Sequence, residues 1–131
     1  MALLALSVLL TACTVKGKDL PDGMDEDTVR RAGLEVMNAL CDGEYEKVYD
    51  ALREDIREKT TADAIGALMT EASDGLGTAG EVTDSMVTGV TDTDEPHAIA
   101  VLRRKYEKKG IYFRIAFDEQ MQLVGLEIQK K

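Results

Sequence analysis

The sequence has 131 residues, with 25 acidic against 16 basic, a formal net charge of −9 and a pI near 4.6. That length makes one domain, and that overall charge works against nucleic-acid binding and against electrostatic adhesion to anionic lipid. Two cysteines and one histidine leave no disulfide framework and no zinc ligand set at recognisable spacing.

Met1 to Ala12 is uncharged and almost wholly apolar. It is too short to span a bilayer, which takes about 20 residues. It ends Leu10-Thr11-Ala12-Cys13, small residues before a cysteine, and this resembles the lipobox of bacterial lipoprotein signal peptides. The resemblance implies cleavage before Cys13, lipid on its thiol and acylation of the new amino group. The expected division is residues 1–12 as lipoprotein signal peptide, 13–23 as lipidated tether and 24–131 as a single domain. The expected address is the outer face of the bacterial cytoplasmic membrane, or the periplasmic side of the envelope. An ordinary signal peptide and a buried first helix are the alternatives. The positively charged stretch that usually precedes such a run is missing, which leaves open whether the natural start lies upstream of Met1.

Thr14 to Gly23, with Gly17, Pro21 and Gly23 among polar residues, argues against regular structure. Such a tether reaches at most about 35 Å and more typically about 17 Å. A first helix is predicted over Asp25 to Cys41. Asp25, Glu26 and Asp27 suit its positive end, Val29, Gly33, Val36, Met37 and Leu40 form its buried stripe, and Asp42-Gly43 stops it. A second helix is predicted from Glu44 to Glu58, with Tyr45, Val48, Tyr49, Leu52 and Ile56 as its apolar stripe. Thr60-Thr61 caps a third, in which Ile65, Leu68, Met69 and Ala72 are expected to be buried.

From Glu81 the period changes to two. Val82, Met86 and Val90 suggest a strand, Thr91 to Pro96 an acidic turn, and Ala98 to Tyr106 a second strand. Ile111, Phe113, Ile115 and Phe117 alternate with Tyr112, Arg114 and Ala116. Asp118 to Met121 turns the chain, and Val124, Leu126 and Ile128 close a hairpin that makes the wall for the helices. The expected fold class is α+β, three N-terminal helices packed on one face of a curved antiparallel sheet of about four strands.

No motif carries recognisable chemistry. Gly75-Leu76-Gly77-Thr78-Ala79-Gly80 has the G-x-G-x-x-G spacing, but a helix precedes it and a strand follows, the reverse of a dinucleotide site, so it reads as a helix end and a connection. Asp92, Asp94 and Glu95 lack the glycine and distal carboxylate of a calcium loop, since those positions hold His97 and Arg103. His97 reads as an exposed strand-end residue and Cys41 as a small buried hydrophobe, the alternative being a reactive thiol. Neither Ser73 nor Ser85 has a nucleophile-elbow context. No catalytic residue, metal or cofactor is assigned. Tyr45, Tyr49, Tyr106 and Tyr112 can, with Asp84 or Arg103, make a polar pocket at the mouth of a helix–sheet cone, or can be core and cross-strand residues with hydroxyls at the rim. Arg103, Arg104, Lys105, Lys108 and Lys109 form one basic run, suited to lipid phosphate or an acidic partner, or to a charged edge that blocks strand aggregation.

Gly43-Glu44-Tyr45-Glu46-Lys47-Val48, Thr60-Thr61, Leu76-Gly77 and Phe113-Arg114-Ile115-Ala116-Phe117-Asp118 with Leu123-Val124-Gly125-Leu126 resemble the bacterial domain of unknown function 3887 family over about Met24 to Ile128. The resemblance implies a small cone-shaped fold, nuclear transport factor 2-like or cystatin-like, in secreted or lipid-anchored proteins. It supplies no catalytic residues. Three functions stay open: a non-catalytic envelope module binding a small molecule, peptide or envelope protein; a pocket enzyme using a carboxylate and tyrosines for proton transfer; and a dimerising spacer with an apolar outer sheet face. Oligomeric state is left open.

Overall fold

The computed structural model describes residues 17–130. The signal segment, the lipobox and Cys13 lie outside the described residues. Four helices precede four strands among them, one helix more than the sequence predicts. They are α1 (Glu26–Cys41), α2 (Tyr45–Ala51), α3 (Glu54–Arg57), α4 (Ala62–Ser73), β1 (Ala79–Val90), β2 (His97–Tyr106), β3 (Gly110–Asp118) and β4 (Leu123–Lys130). The strands form an open antiparallel sheet in the order β1-β2-β3-β4. None of the described helices is long and apolar enough to cross a membrane.

Local chemistry sets the helix ends. The Asp25 carboxylate accepts the Thr28 N–H at 3.0 Å ahead of α1, and Gly43 beyond its end takes a φ of +78°, which a side chain would resist. The Thr61 hydroxyl accepts the Ala64 N–H at 3.0 Å to start α4. Gly75 and Gly77, at φ +73° and +87°, end it, so the glycine run is a helix terminus and connection.

The predicted second helix is two pieces. Leu52 and Arg53 are extended, with ψ of 145° and 148°. Leu52 is buried and forms a parallel bridge to Leu123, and the Arg53 N–H donates to the Leu123 carbonyl at 2.9 Å. Pairing with β4 thus replaces two residues of helix. The Arg53 guanidinium then reaches three carboxylates: Asp55 through both oxygens at 2.7 and 3.0 Å, Glu95 at 3.0 Å and Asp118 at 3.1 Å. Asp118 is the buried charged residue of the core, and its other oxygen accepts the Gln120 and Gln122 N–H groups at 3.0 and 2.8 Å. These bonds hold the Asp118–Gln122 turn, where Met121 adopts a φ of 61°.

Alternate strand residues face the helices. Gly33 of α1 lies over Ala100 and Leu102, Cys41 reaches Tyr106, Val48 and Ala51 of α2 lie beside Phe117, and Leu68 and Ala72 of α4 lie beside Ile128. Ile111, Phe113 and Ile115 on β3 are fully buried between them. A Cβ on Gly33 would stand 2.6 Å from that of Ala100, so the glycine sets how closely α1 approaches the sheet.

Burial expectations fail in three places, one of them β4, where Leu123 rather than Val124 enters the core beside a register shift between Ala116 and Phe117. Leu68 is 48 % exposed, because α4 buries Ile65, Gly66, Met69 and Ala72 and only the edge strand β4 lies beside it. On β1 the buried side chain is Val87, not Val82, which is 39 % exposed. Regular pairing from Val90 to Asp84 sets Val87 opposite the buried Ala100 and turns Met86 outward, whereas Val82, past a register shift, stands opposite Arg104 in the exposed first half of the strand. Residues 17–23 carry no helix or strand, yet they follow the free edge of β1. The Lys18 carbonyl accepts the Gly89 N–H at 3.0 Å, the Thr88 hydroxyl accepts the Lys18 N–H at 2.9 Å, and Leu20 packs on the core.

Replacing Asp118 by Ala should cost roughly 2–4 kcal/mol, since three donors lose a buried partner. Replacing the exposed Glu95 by Ala should change stability by no more than about 1 kcal/mol. Urea unfolding of the two variants measures the contrast.

Candidate functional site

The sheet separates the six residues expected to share a pocket. Tyr106 is buried on the helix side, its hydroxyl 3.4 Å from the Cys41 sulfur, and Cys41 is half-buried there. Tyr45 packs against Gly66 between α2 and α4. The Tyr49 hydroxyl donates to the Arg57 carbonyl at 3.2 Å and so closes the α3 turn. Asp84, Arg103 and Tyr112 lie on the opposite face as consecutive cross-strand neighbours, with Gln129 continuing the row on β4. Three of the six are therefore brought together, on the outside of the sheet.

Arg103 is the ordered centre of that row. Its guanidinium sits 5.6 Å from the Tyr112 ring centroid, donates to the Thr83 hydroxyl at 3.0 Å and lies against Gly110. The next row pairs Arg114 with Glu127 at 3.3 Å. The same row continues as Val101 and Met86 on β2 and β1, and in the row beyond it Ile99 lies between Thr88 and Ala116. Val90 and His97 close that end. Arg114 and Glu127 are exposed, the residues of this apolar part are half-buried, and α1 packs on the other side, over Ala100 and Leu102. An antiparallel sheet with one solvated face ordinarily alternates apolar and polar. Here both faces of β2 are apolar between Ala98 and Leu102.

The helix side offers little room. A groove of about 150 Å³ between α1 and α2 is lined mostly by Ala32, Val36, Ala39, Val48, Ala51 and Phe117, with Glu35 and Lys47. Three exposed carboxylates are held below their ordinary range by hydrogen bonds. Asp55 is lowered by its hydrogen bonds from Arg53, Asp25 by Thr28, and Glu107 by the Thr78 N–H at 2.6 Å. Asp55 and its neighbours in turn raise the Arg53 guanidinium further above its ordinary value. Glu95 of the acidic turn is engaged by Arg53, and no group of three His, Cys, Asp or Glu side chains gathers around a metal position among the described residues.

Sequence reasoning missed Arg53 and Asp118, which pair across 65 positions of the chain. It also missed the apolar outer face. The unbroken run Ala98-Ile99-Ala100-Val101-Leu102 was its available signal, since in an antiparallel strand such a run places apolar side chains on both faces.

The model for a protein of unknown function, DUF3887, matches residues 34–126. The NMR structure of a protein from Ruminococcus gnavus ATCC 29149 is similar at 23 % identity with a TM-score of 0.71, covering 84 % of this chain and 96 % of that one. At that identity the likeness speaks to the fold. No curated protein matches this chain.

Replacing Arg103 by Ala should free the Tyr112 ring, raising its accessibility to fluorescence quenchers, at a cost in stability of no more than about 1 kcal/mol. Burial, followed by the Cys41 contact, pushes the Tyr106 phenol well above its ordinary value of 10.0. A raised folded-state value favours the protonated fold below the unfolded value and loses that contribution as pH rises through the folded one. Urea midpoints taken from about pH 9 to about pH 11 should therefore fall more for the wild type than for Tyr106→Phe.

Proposed function

The chain belongs to the DUF3887 family of proteins of unknown function, and from that premise we propose that it is a non-catalytic, lipid-anchored binding module of the bacterial envelope. Its partner is an envelope protein, and its contact surface is the outer face of the sheet. The observation that carries this reading is the apolar strip of Met86, Val90, Ile99, Val101 and Ala116, beside the ordered Arg103–Tyr112 row and the Arg114–Glu127 pair. An apolar centre with an aromatic and arginines at its margin is the composition of protein interfaces. The filled helix side favours a protein partner over a small ligand held in a cone, because Phe113, Ile115, Ile111 and Leu102 already occupy that side. The proton-transfer reading loses support because Tyr45, Tyr49 and Tyr106 lie apart from Tyr112 and Asp84.

The anchor rests on Leu10-Thr11-Ala12-Cys13. Gly17, four positions beyond Cys13, is already packed on β1. A lipidated Cys13 would hold that sheet edge within about 14 Å of the lipid surface. A second reading, self-association through the same face, is favoured by the same apolar strip, which a dimerising spacer requires.

Growth with an alkyne-tagged fatty acid should label the wild type and leave Cys13→Ser unlabelled. Equal labelling of both, or of neither, would remove the anchor. Val101→Glu should abolish co-purification of a crosslinked envelope protein while leaving the urea midpoint within about 1 kcal/mol of wild type. An unchanged crosslinking pattern would exclude this face. If the same substitution instead converts a dimer to a monomer in analytical ultracentrifugation, the self-association reading takes its place.

A further inference from the structure

Residues 103–109, Arg-Arg-Lys-Tyr-Glu-Lys-Lys, carry five cations and one anion in a chain of net charge −9. Arg30, Arg53 and Arg114 are all paired with carboxylates. None of Arg103, Arg104, Lys105, Lys108 and Lys109 has a carboxylate within 4.0 Å among the described residues. Their bonds go to neutral groups: Arg103 to the Thr83 hydroxyl at 3.0 Å and Arg104 to the Gly80 carbonyl at 2.9 Å. The anion of the run, Glu107, is turned away to the Thr78 N–H at 2.6 Å.

The β2–β3 turn that presents these charges is fixed in place. The Lys108 N–H donates to the Leu76 carbonyl at 3.1 Å, and the Tyr106 N–H donates to the Lys109 carbonyl at 2.8 Å. Lys105, Lys108 and Lys109 are exposed. The open hollow beside the turn holds Glu81 and Glu107 as well as Lys105, and its two carboxylates oppose capture of a small anion there. Lys108 and Lys109 of the turn, with Lys105 at the rim of that hollow, are exposed and can instead meet a broad anionic surface. Concentrating cations at one end of an acidic molecule also makes it strongly dipolar, and a negative surface orients it with this end inward.

We propose that the β2–β3 turn is a docking tip for an anionic phospholipid bilayer, with Lys105, Lys108 and Lys109 among the headgroup phosphates. Overall repulsion from the acidic remainder does not prevent this, because it is screened beyond about 10 Å at 0.1 M salt while the tip is in contact. Combined with the proposed Cys13 lipid, on which only this second part rests, the tip makes a two-point attachment. Ala79, paired with Tyr106 beside the turn, lies nine positions along β1 from Thr88, where residues 17–18 are docked. At about 3.3 Å per residue this separates the two points by roughly 30 Å. The β1 edge then runs along the bilayer and the outer sheet face stands free of it.

The test is co-sedimentation of the full chain carrying Cys13→Ser with neutral phosphatidylcholine vesicles and with vesicles containing about 30 % phosphatidylglycerol. Partitioning should rise with phosphatidylglycerol. Relative to that background, K105Q/K108Q/K109Q should lower it by at least about tenfold at low salt, while K47Q/K59Q/K130Q, of identical net charge, should leave it unchanged. Raising the salt to about 0.5 M should remove the phosphatidylglycerol dependence without any substitution in the turn. Equal effects of the two triple variants, or equal binding to neutral and anionic vesicles, would overturn the proposal. Neither result touches the anchor, which fatty-acid labelling reads separately.

Discussion

The arrangement of the molecule depends on where Arg53 goes. Its backbone N–H holds the first residue of β4 through the Leu123 carbonyl, and its guanidinium holds Asp118 at the last residue of β3. It also reaches Glu95 in the turn between β1 and β2. One residue therefore joins the helical layer to the sheet and to two of its turns. Leaving Asp118 buried without a cation would be unfavourable, so the extended conformation at Leu52 and Arg53 and the ion cluster require each other.

With that end of the sheet fixed, α1 lies against one set of alternate strand residues, including Ala100 and Leu102. The opposite set remains as a continuous surface whose rows are set by strand register: Asp84–Arg103–Tyr112–Gln129, then Met86–Val101–Arg114–Glu127, then Thr88–Ile99–Ala116. The sheet thus gives the protein one face that builds the core and one that is available for contact. Residues 17–20 meet the free edge of β1 beside Thr88, which fixes the geometry of any attachment made through the chain's N-terminal side. The basic turn lies at the far end of the same edge.

Much of this was legible where the controlling chemistry is local. The caps at Asp25 and Thr61 and the alternation through Ile111, Phe113, Ile115 and Phe117 all appear in the structure. The break at Leu52 was not legible, because Leu52 fits a helical apolar stripe and the competing bond comes from Leu123, far along the chain. The buried face of β1 was hidden for another long-range reason. The register with β2 sets Val87 opposite the buried Ala100, while Val82 lies in the exposed, irregularly paired first part of the strand. Of the six candidate pocket residues, Asp84, Arg103 and Tyr112 share one face of the sheet. Tyr45, Tyr49 and Tyr106 lie elsewhere, because sequence shows residue type but not which side of a sheet a residue meets.

If the outer sheet face is the contact surface we propose, it is covered in the envelope and open in isolation. Hydroxyl-radical footprinting of the same chain in intact envelopes and after purification measures this at Met86 and Tyr112, with Met24 and Met121 as references away from the face. Met86 and Tyr112 should be oxidised markedly less in the envelope, while Met24 and Met121 should react alike in both states. Equal oxidation of Met86 and Tyr112 in the two states would contradict it.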